Sequence, residues 1–322
     1  MQRRLTPVHV RLADTSVRWI PAQRALASRA VSTPDSEPAP SIPVRQAAST
    51  SLTGLFGALV DDAALFPPGD AAMADALAAH PHHLAGTYGF MVGRFLCPAS
   101  RVPELAQAWS RPEPLTVGLI ADTGLAGLSD AITQIVTDPQ LDLGAVEIVV
   151  PPGSPPETLD DILAALPGVT GYVELPRGQD WSADLDAIAA AGREAKFRTG
   201  GASSGAVPTP EELAAFITAC VARRVAFKCT AGLHHAICGI EDEAGNTQHG
   251  FLNVLLATHA AVLGEDDGEI VGWLREGSTE VIVHALGAMH EHDARRVRTS
   301  FIGFGSCSVT EPVDELTALG LL

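Results

Sequence analysis

A chain of 322 residues, 46% hydrophobic and with a formal net charge of −17, has the apolar material for one large core and repels nucleic acid phosphates and anionic membrane surfaces. No apolar run approaches the roughly eighteen residues of a membrane span. Five cysteines without a CxxC pair, one necessarily left over, suit reduced thiols in a cytoplasmic protein. The charge is also uneven: residues 1–50 hold seven arginines against three acids, the other 272 residues fourteen basic against thirty-five acidic groups. A small anionic substrate therefore needs a locally basic pocket.

In chain order the first segment, residues 1–50, contains a Ser/Thr/Pro/Ala stretch from Ser28 to Thr50 with almost no hydrophobic periodicity. It reads as a disordered leader. Being Arg-rich and acid-poor it also has the composition of a transit peptide, without the apolar centre of a secretory signal; an upstream start codon wrongly assigned is a third reading.

From residue 54 onward, short β-like runs alternate with Ala/Leu-rich helical segments. Strands are expected at Phe56–Leu65, Phe90–Cys97, Leu115–Ala121, Ala145–Val150, Gly171–Leu175, Ala195–Thr199, Val225–Thr230 and Ser300–Gly305. Helices are expected near 72–80, 102–109, 125–137, 157–166, 182–192, 210–223, 250–263 and 312–319. Thr209-Pro210-Glu211-Glu212 is a strong helix start, with Thr209 as N-cap and Pro210 in the first helical position. Eight strand–helix units over residues 51–322 predict a single (β/α)8 TIM-type barrel. The rival, a doubly wound open sheet, lacks a GxGxxG at its first helix. One unit is overlong: residues 264–299, with Glu265-Asp266-Asp267 and a helical segment around 279–292, read as an insertion serving as a lid or an oligomer contact. His80, His82 and His83, near the end of the first helix, are expected to face solvent.

Barrel enzymes draw catalytic groups from strand C-termini, and the expected strands here end in polar residues: Asp61-Asp62, Arg94, Asp122, Glu147, Glu174, Lys196 with Arg198, and Lys228. Alternation places Lys196 and Arg198 on one face. Lys196 and Lys228 are the only lysines in the chain, beside nineteen arginines. An ammonium loses its proton when desolvated and then acts as base or nucleophile, which a guanidinium does not. A salt-bridge network filling the barrel is the competing account of the same residues.

Lys196-Phe197-Arg198-Thr199-Gly200-Gly201, followed thirty-two residues on by Lys228-Cys229-Thr230-Ala231-Gly232-Leu233, resembles the paired lysine strands of the deoxyribose-phosphate aldolases and related class I aldolase barrels. Those enzymes carry a Schiff-base lysine on strand six, in a K-T-S-T-G run. A second lysine on strand seven, in a K-A-S-G-G run, lowers the first one's pKa. The last strand, Ile302-Gly303-Phe304-Gly305-Ser306-Cys307-Ser308, is similar to the Gly/Ser-rich phosphate loop of that family. The likeness spans roughly residues 195–310. It implies a lyase acting on a small carbonyl compound, phosphorylated or carboxylated, with Lys196 as nucleophile, Lys228 as its electrostatic neighbour (or the reverse), and no cofactor. It further implies a proton relay through a strand carboxylate, for which Asp122, Glu147 and Glu174 are candidates. Gly200, Gly201, Gly232, Gly305, Ser306 and Ser308 would hold the substrate's anion, with Arg94 and Asp62 as further strand-end contacts. Arg198 beside Lys196, and the loop Gly232-Leu233-His234-His235, depart from the family pattern.

Two other readings stay open. His234 and His235 after the seventh strand, with His249 fourteen residues on, form with a strand carboxylate a two-His site for a divalent metal. Alternatively the barrel binds a partner without turnover, and both lysines are then fully paired with carboxylates. Cys307 reads as a low-pKa thiol or, more usually for its kind, an inert buried one. Partners are a small molecule and, as barrels of this size often pair, a second copy of the chain; nucleic acid and membrane are not expected.

Overall fold

Short runs rich in Val, Ile, Leu and Phe, bounded by Gly, Pro and Asp, become the strands of this chain: β1 (Val60–Asp62), β2 (Val92–Pro98), β3 (Leu115–Ile120), β4 (Leu141–Val149), β5 (Thr170–Glu174), β6 (Glu194–Arg198), β7 (Phe227–Thr230) and β8 (Phe301–Ser306). Each pairs in parallel with its neighbour in sequence, and β8 closes on β1. The result is the (β/α)8 barrel that the alternation predicts. This computed structural model describes residues 50–322 apart from 156, 167, 179, 202–204 and 242–244. The expected leader, residues 1–50, lies outside the described residues except for Thr50.

The helices are α1 (Thr50–Phe56), α2 (Met73–Ala85), α3 (Val102–Ala108), α4 (Gly124–Thr137), α5 (Glu157–Ala165), α6 (Ser182–Ala190), α7 (Pro210–Arg223), α8 (Phe251–Leu263), α9 (Asp267–Arg275), α10 (Thr279–Ala288), α11 (Glu291–Ser300) and α12 (Thr310–Ala318). The Thr209 side chain accepts from the Glu212 amide, capping α7 as expected. Two expectations are corrected. The first strand is only three residues long, because Phe56 belongs to α1 and the chain turns directly after Asp62. The overlong unit 264–299 is three helices: Asp266 caps α9 through the Glu269 amide and Ser278 caps α10 through the Val281 amide. These helices pack on α7, α8 and α1 and contribute no residue to the lining of the mouth cavity described below.

The apolar core lies between strands and helices. Outward residues such as Phe95, Val117, Val146, Val173, Phe197, Phe227 and Phe304 are fully buried there. An aromatic seam stiffens the lysine-bearing side: Phe197 of β6 stacks on Phe216 of α7 at 4.2 Å, and Phe227 of β7 stacks on Phe301 of β8 at 5.3 Å. Because side chains alternate along a strand, burying Phe197 and Phe227 outward turns Lys196 and Lys228 inward. The interior itself is charged. Glycines relieve its crowding: a methyl group on Gly118 of β3 would lie 2.5 Å from the Leu96 side chain, and one on Gly144 would lie 2.6 Å from the Thr116 methyl and 3.3 Å from Arg94.

Among the described residues no helix is long and apolar enough to cross a membrane.

Candidate active site

At register Lys196↔Lys228 the two lysines lie side by side on β6 and β7. Between them stands Glu147 of β4, one carboxylate oxygen on each ammonium: Oε2 lies 2.7 Å from Lys196 Nζ and Oε1 2.5 Å from Lys228 Nζ. Each lysine has a second acid. Lys196 meets Glu174 Oε2 at 3.1 Å, and Lys228 meets Asp61 Oδ2 at 2.5 Å. Glu174 passes the chain on to Arg198, whose Nε donates to Oε1 at 2.8 Å. Asp61 is held in turn by the Arg94 amide, 2.7 Å from Oδ1. The Lys228 ammonium also lies 5.2 Å from the centre of the Tyr172 ring, whose hydroxyl accepts from Arg94 at 3.4 Å. Strands β1, β4, β5, β6 and β7 thus converge on one alternating network of charge.

Burial and charge compete within it. Burial by itself raises the Glu147 pKa, but the two ammonium groups more than offset this and bring it down to about 2. For Lys228 burial pulls the pKa down, and the carboxylates of Asp61 and Glu147 overcome it, leaving it above the ordinary lysine range. Lys228 is therefore a fixed cation. The direct neighbourhood of two ammonium groups that the resemblance implies is not found, because a shared carboxylate sits between them.

Above this network a cavity of about 380 Å³ opens at the C-terminal ends of β3–β6. Lys196 lines it together with Glu147, Glu174, Arg198, Asp122 and Arg177, against an apolar wall that includes Ile120, Val150 and Leu175. Lys228 does not reach it. Of the three carboxylates proposed for a proton relay, Glu147 and Glu174 contact a lysine. Asp122 lies at the rim and accepts from the amide and hydroxyl of Ser100, at 3.0 and 2.5 Å.

Several expected site residues lie elsewhere. Asp62 points out of the barrel, since its neighbour Asp61 points in; it bonds His80 Nδ1 at 2.8 Å and the Ala64 amide. His80 is correspondingly buried rather than solvated, completing the stripe Met73, Ala76, Leu77 along α2. We expect Asp62→Asn or His80→Leu to cost about 1–3 kcal/mol in urea unfolding, as for any orphaned buried hydrogen-bonding group. Chemistry at Lys196 should be untouched, and a loss under about 0.5 kcal/mol would refute the structural role. Arg94 braces Asp61 and Tyr172 and does not line the cavity. Ser306 and Ser308 bond each other, Ser306 Oγ donating to the Ser308 carbonyl at 2.7 Å, and Ser308 Oγ accepts from the Glu311 amide at the start of α12. Gly305 pairs with Asp61 in the sheet. Gly200 and Gly232 are packing residues: with φ +76 at Gly232, an added Cβ there would lie 2.6 Å from the Thr199 carbonyl. Gly201 follows them at φ +159, with the Ala206 methyl 3.2 Å from where a Cβ would sit. None of these six positions lines the cavity, so the phosphate loop implied by resemblance is not part of this mouth.

The histidines do not gather either. His235 Nδ1 meets Glu315 Oε1 at 2.7 Å, His249 Nε2 meets the Pro208 carbonyl at 2.8 Å, and His234 Nδ1 lies 3.8 Å from Cys307 Sγ. Among the described residues no three His, Cys, Asp or Glu side chains are arranged to hold a metal ion. Burial pushes the Cys307 thiol up, with Glu311 adding to it, and pushes His234 down; neither supports a thiolate.

Asp61 and Tyr172 complete the network: Asp61 was expected only together with Asp62 as a strand-end acid, and Tyr172 was absent from the expected site. Period-two alternation says that one of Asp61 and Asp62 faces inward without saying which. No family model, curated protein or solved structure matches the chain.

Proposed function

We propose that the barrel is a carbon–carbon lyase of aldolase type that works on a small carbonyl compound through an imine on Lys196. The observation that carries this reading is that Lys196 is the one lysine lining the mouth cavity, with two carboxylates in contact with its nitrogen and a fixed cation, Lys228, behind the nearer one. Lys196 passes its ammonium proton to Glu174, the free amine attacks the carbonyl carbon, and the carbinolamine hydroxyl takes that proton back and leaves as water to give an iminium. When the neighbouring C–C bond breaks, its electron pair enters the iminium as an enamine, and the departing fragment becomes a carbonyl as its hydroxyl loses a proton. Glu174, 3.1 Å from the nitrogen, is the carboxylate at proton-transfer distance that takes and returns these protons. Lys228 keeps Glu147 anionic, so that carboxylate stabilises positive charge on the imine nitrogen. No cofactor is needed for these steps.

The test is borohydride reduction in the presence of short aldehydes and 2-oxo acids, read by intact mass and peptide mapping. A stable adduct on Lys196 is expected; an unmodified chain across the whole panel retires the proposal.

A second reading is favoured by a specific observation. Both lysines are paired with two carboxylates each, as expected of a barrel whose charges serve stability and whose mouth binds without turnover. Under that reading Lys196→Arg leaves function intact and no carbonyl compound modifies the chain.

A further inference from the structure

Besides Lys196, two cations line the mouth cavity and Lys228 lies beneath it, and these three differ in what they have left to offer a ligand. Lys228 is buried beneath the floor between two acids. Arg177 is spent: Nε and Nη2 hold Glu212, and Nη1 donates to the carbonyls of Gly205 and Ala206 at 2.9 and 2.6 Å. Arg198 is different. Its Nε is fixed on Glu174 at 2.8 Å, its side chain is 48% exposed, and it lines the cavity. Among the described residues its two terminal nitrogens donate no hydrogen bond. A guanidinium held at Nε, with its outer edge free and facing a cavity, is oriented for an anion with two oxygens in a plane.

We infer that Arg198 holds the carboxylate of a 2-oxo acid whose ketone carbon is the one attacked by Lys196. This rests on the imine reading above and adds the substrate class. Lys196 and Arg198 are two positions apart on one strand face, so their Cα atoms are roughly 6.6 Å apart. Both head groups are gathered on the two oxygens of Glu174. In an imine of a 2-oxo acid, a C=N bond of about 1.3 Å and a C–C bond of about 1.5 Å separate the lysine nitrogen from the carboxylate carbon, and a hydrogen bond of about 2.9 Å joins its oxygen to the guanidinium. Laid end to end these reach roughly 6 Å, comparable with the spacing of the two strand positions. A phosphate several bonds from the carbonyl calls for a cation farther along. The Gly/Ser segment of β8 is no rival anchor, because the Ser306 hydroxyl is turned back on the Ser308 carbonyl and the Ser308 hydroxyl accepts from the Glu311 amide. The rest of the 380 Å³ cavity, walled by Val150 and Leu175, leaves room for the aldehyde that the enamine releases or takes up.

The experiment compares the full-length protein with Arg198→Gln and Arg198→Lys, using pyruvate, acetaldehyde and glycolaldehyde phosphate as probes in borohydride trapping. Losing a two-point charged contact raises the pyruvate concentration for half-maximal trapping by about tenfold to a hundredfold in Arg198→Gln. Arg198→Lys is expected to recover only part of this, and acetaldehyde trapping to change less than about twofold. Equal changes for pyruvate and acetaldehyde, no change for either, or a loss confined to glycolaldehyde phosphate each overturn the inference. Calorimetric binding of oxamate, which carries the same carboxylate and forms no imine, judges Arg198 independently. Weakening of about tenfold or more in Arg198→Gln supports the anion site even if no carbonyl compound modifies Lys196, and equal binding in the two proteins overturns it.

Discussion

Replacing Lys228 by methionine should cost about 3–5 kcal/mol of unfolding free energy, because it breaks a buried ion pair from one side and leaves the acids behind. The side chain is 1% exposed and holds Asp61 and Glu147, each at 2.5 Å. Removing the ammonium leaves two buried carboxylates with less cation than they need, and Glu147 then has only Lys196 to balance it. Equilibrium urea unfolding measures the loss; a change below about 1 kcal/mol would show that the network is more solvated than its geometry implies. Should the single variant not fold, Lys228→Met combined with Asp61→Asn recovers part of the stability, because one of the orphaned charges goes with it. The same network sets the acid limit of the native protein. The Glu147 pKa is lowered from an ordinary 4.5 to about 2, so its contribution is complete above the unfolded value and disappears as pH falls towards the folded one. The raised Lys228 works in the other direction: its contribution is complete below the ordinary lysine value of 10.5 and fades only as pH rises beyond it. Unfolding midpoints should therefore be flat through the neutral range and fall between about pH 5 and pH 2. In Lys228→Met that acid fall should be shallower, one of the two cations that depress Glu147 being gone.

What could be read in advance follows from how local each signal is. Ala195-Lys196-Phe197-Arg198 alternates apolar and charged residues, so the shared face of Lys196 and Arg198 is visible within four positions of sequence. The barrel order is similarly legible, because each strand pairs with the next unit in the chain. The partners of the lysines are not legible in that way. Asp61 and Lys228 are separated by 167 positions and meet only because β8 closes on β1, which no local pattern encodes. Shear then decides that Arg94 braces Asp61 below the cavity instead of facing a substrate. Other signals were present and carry a physical lesson. The spacing Met73, Ala76, Leu77, His80 is a helical stripe that marks His80 as buried. Asp266 and Ser278, each a good N-cap three residues before an amide it accepts from, divide residues 264–299 into separate helices. The glycines misled because Gly200 and Gly232 look like a ligand cradle in sequence, yet each fills the only space the other's loop leaves.

Lys196→Arg separates chemistry from architecture. Arginine preserves a cation on Glu147 and Glu174, so the stability change should stay within about 1 kcal/mol. A guanidinium does not give up its proton, so it forms no imine. Borohydride trapping should then vanish, and turnover, once a substrate is in hand, should fall by about a thousandfold or more, as for other lost nucleophiles. Lys196→Gln should be equally inert and less stable, because Glu174 keeps Arg198 while Glu147 keeps only Lys228. Their shared loss of trapping, set against unequal stability, ties the adduct to the amine and not to a collapsed site. An adduct that persists in Lys196→Arg and maps to Lys228 would reverse the roles. It would require a carbonyl to enter beneath Glu147, where the side chain is 1% exposed and both its carboxylate partners lie within 2.5 Å. A cavity that reaches Lys196 and stops short of Lys228 argues against that route, and the mapped position of one reduced bond decides it.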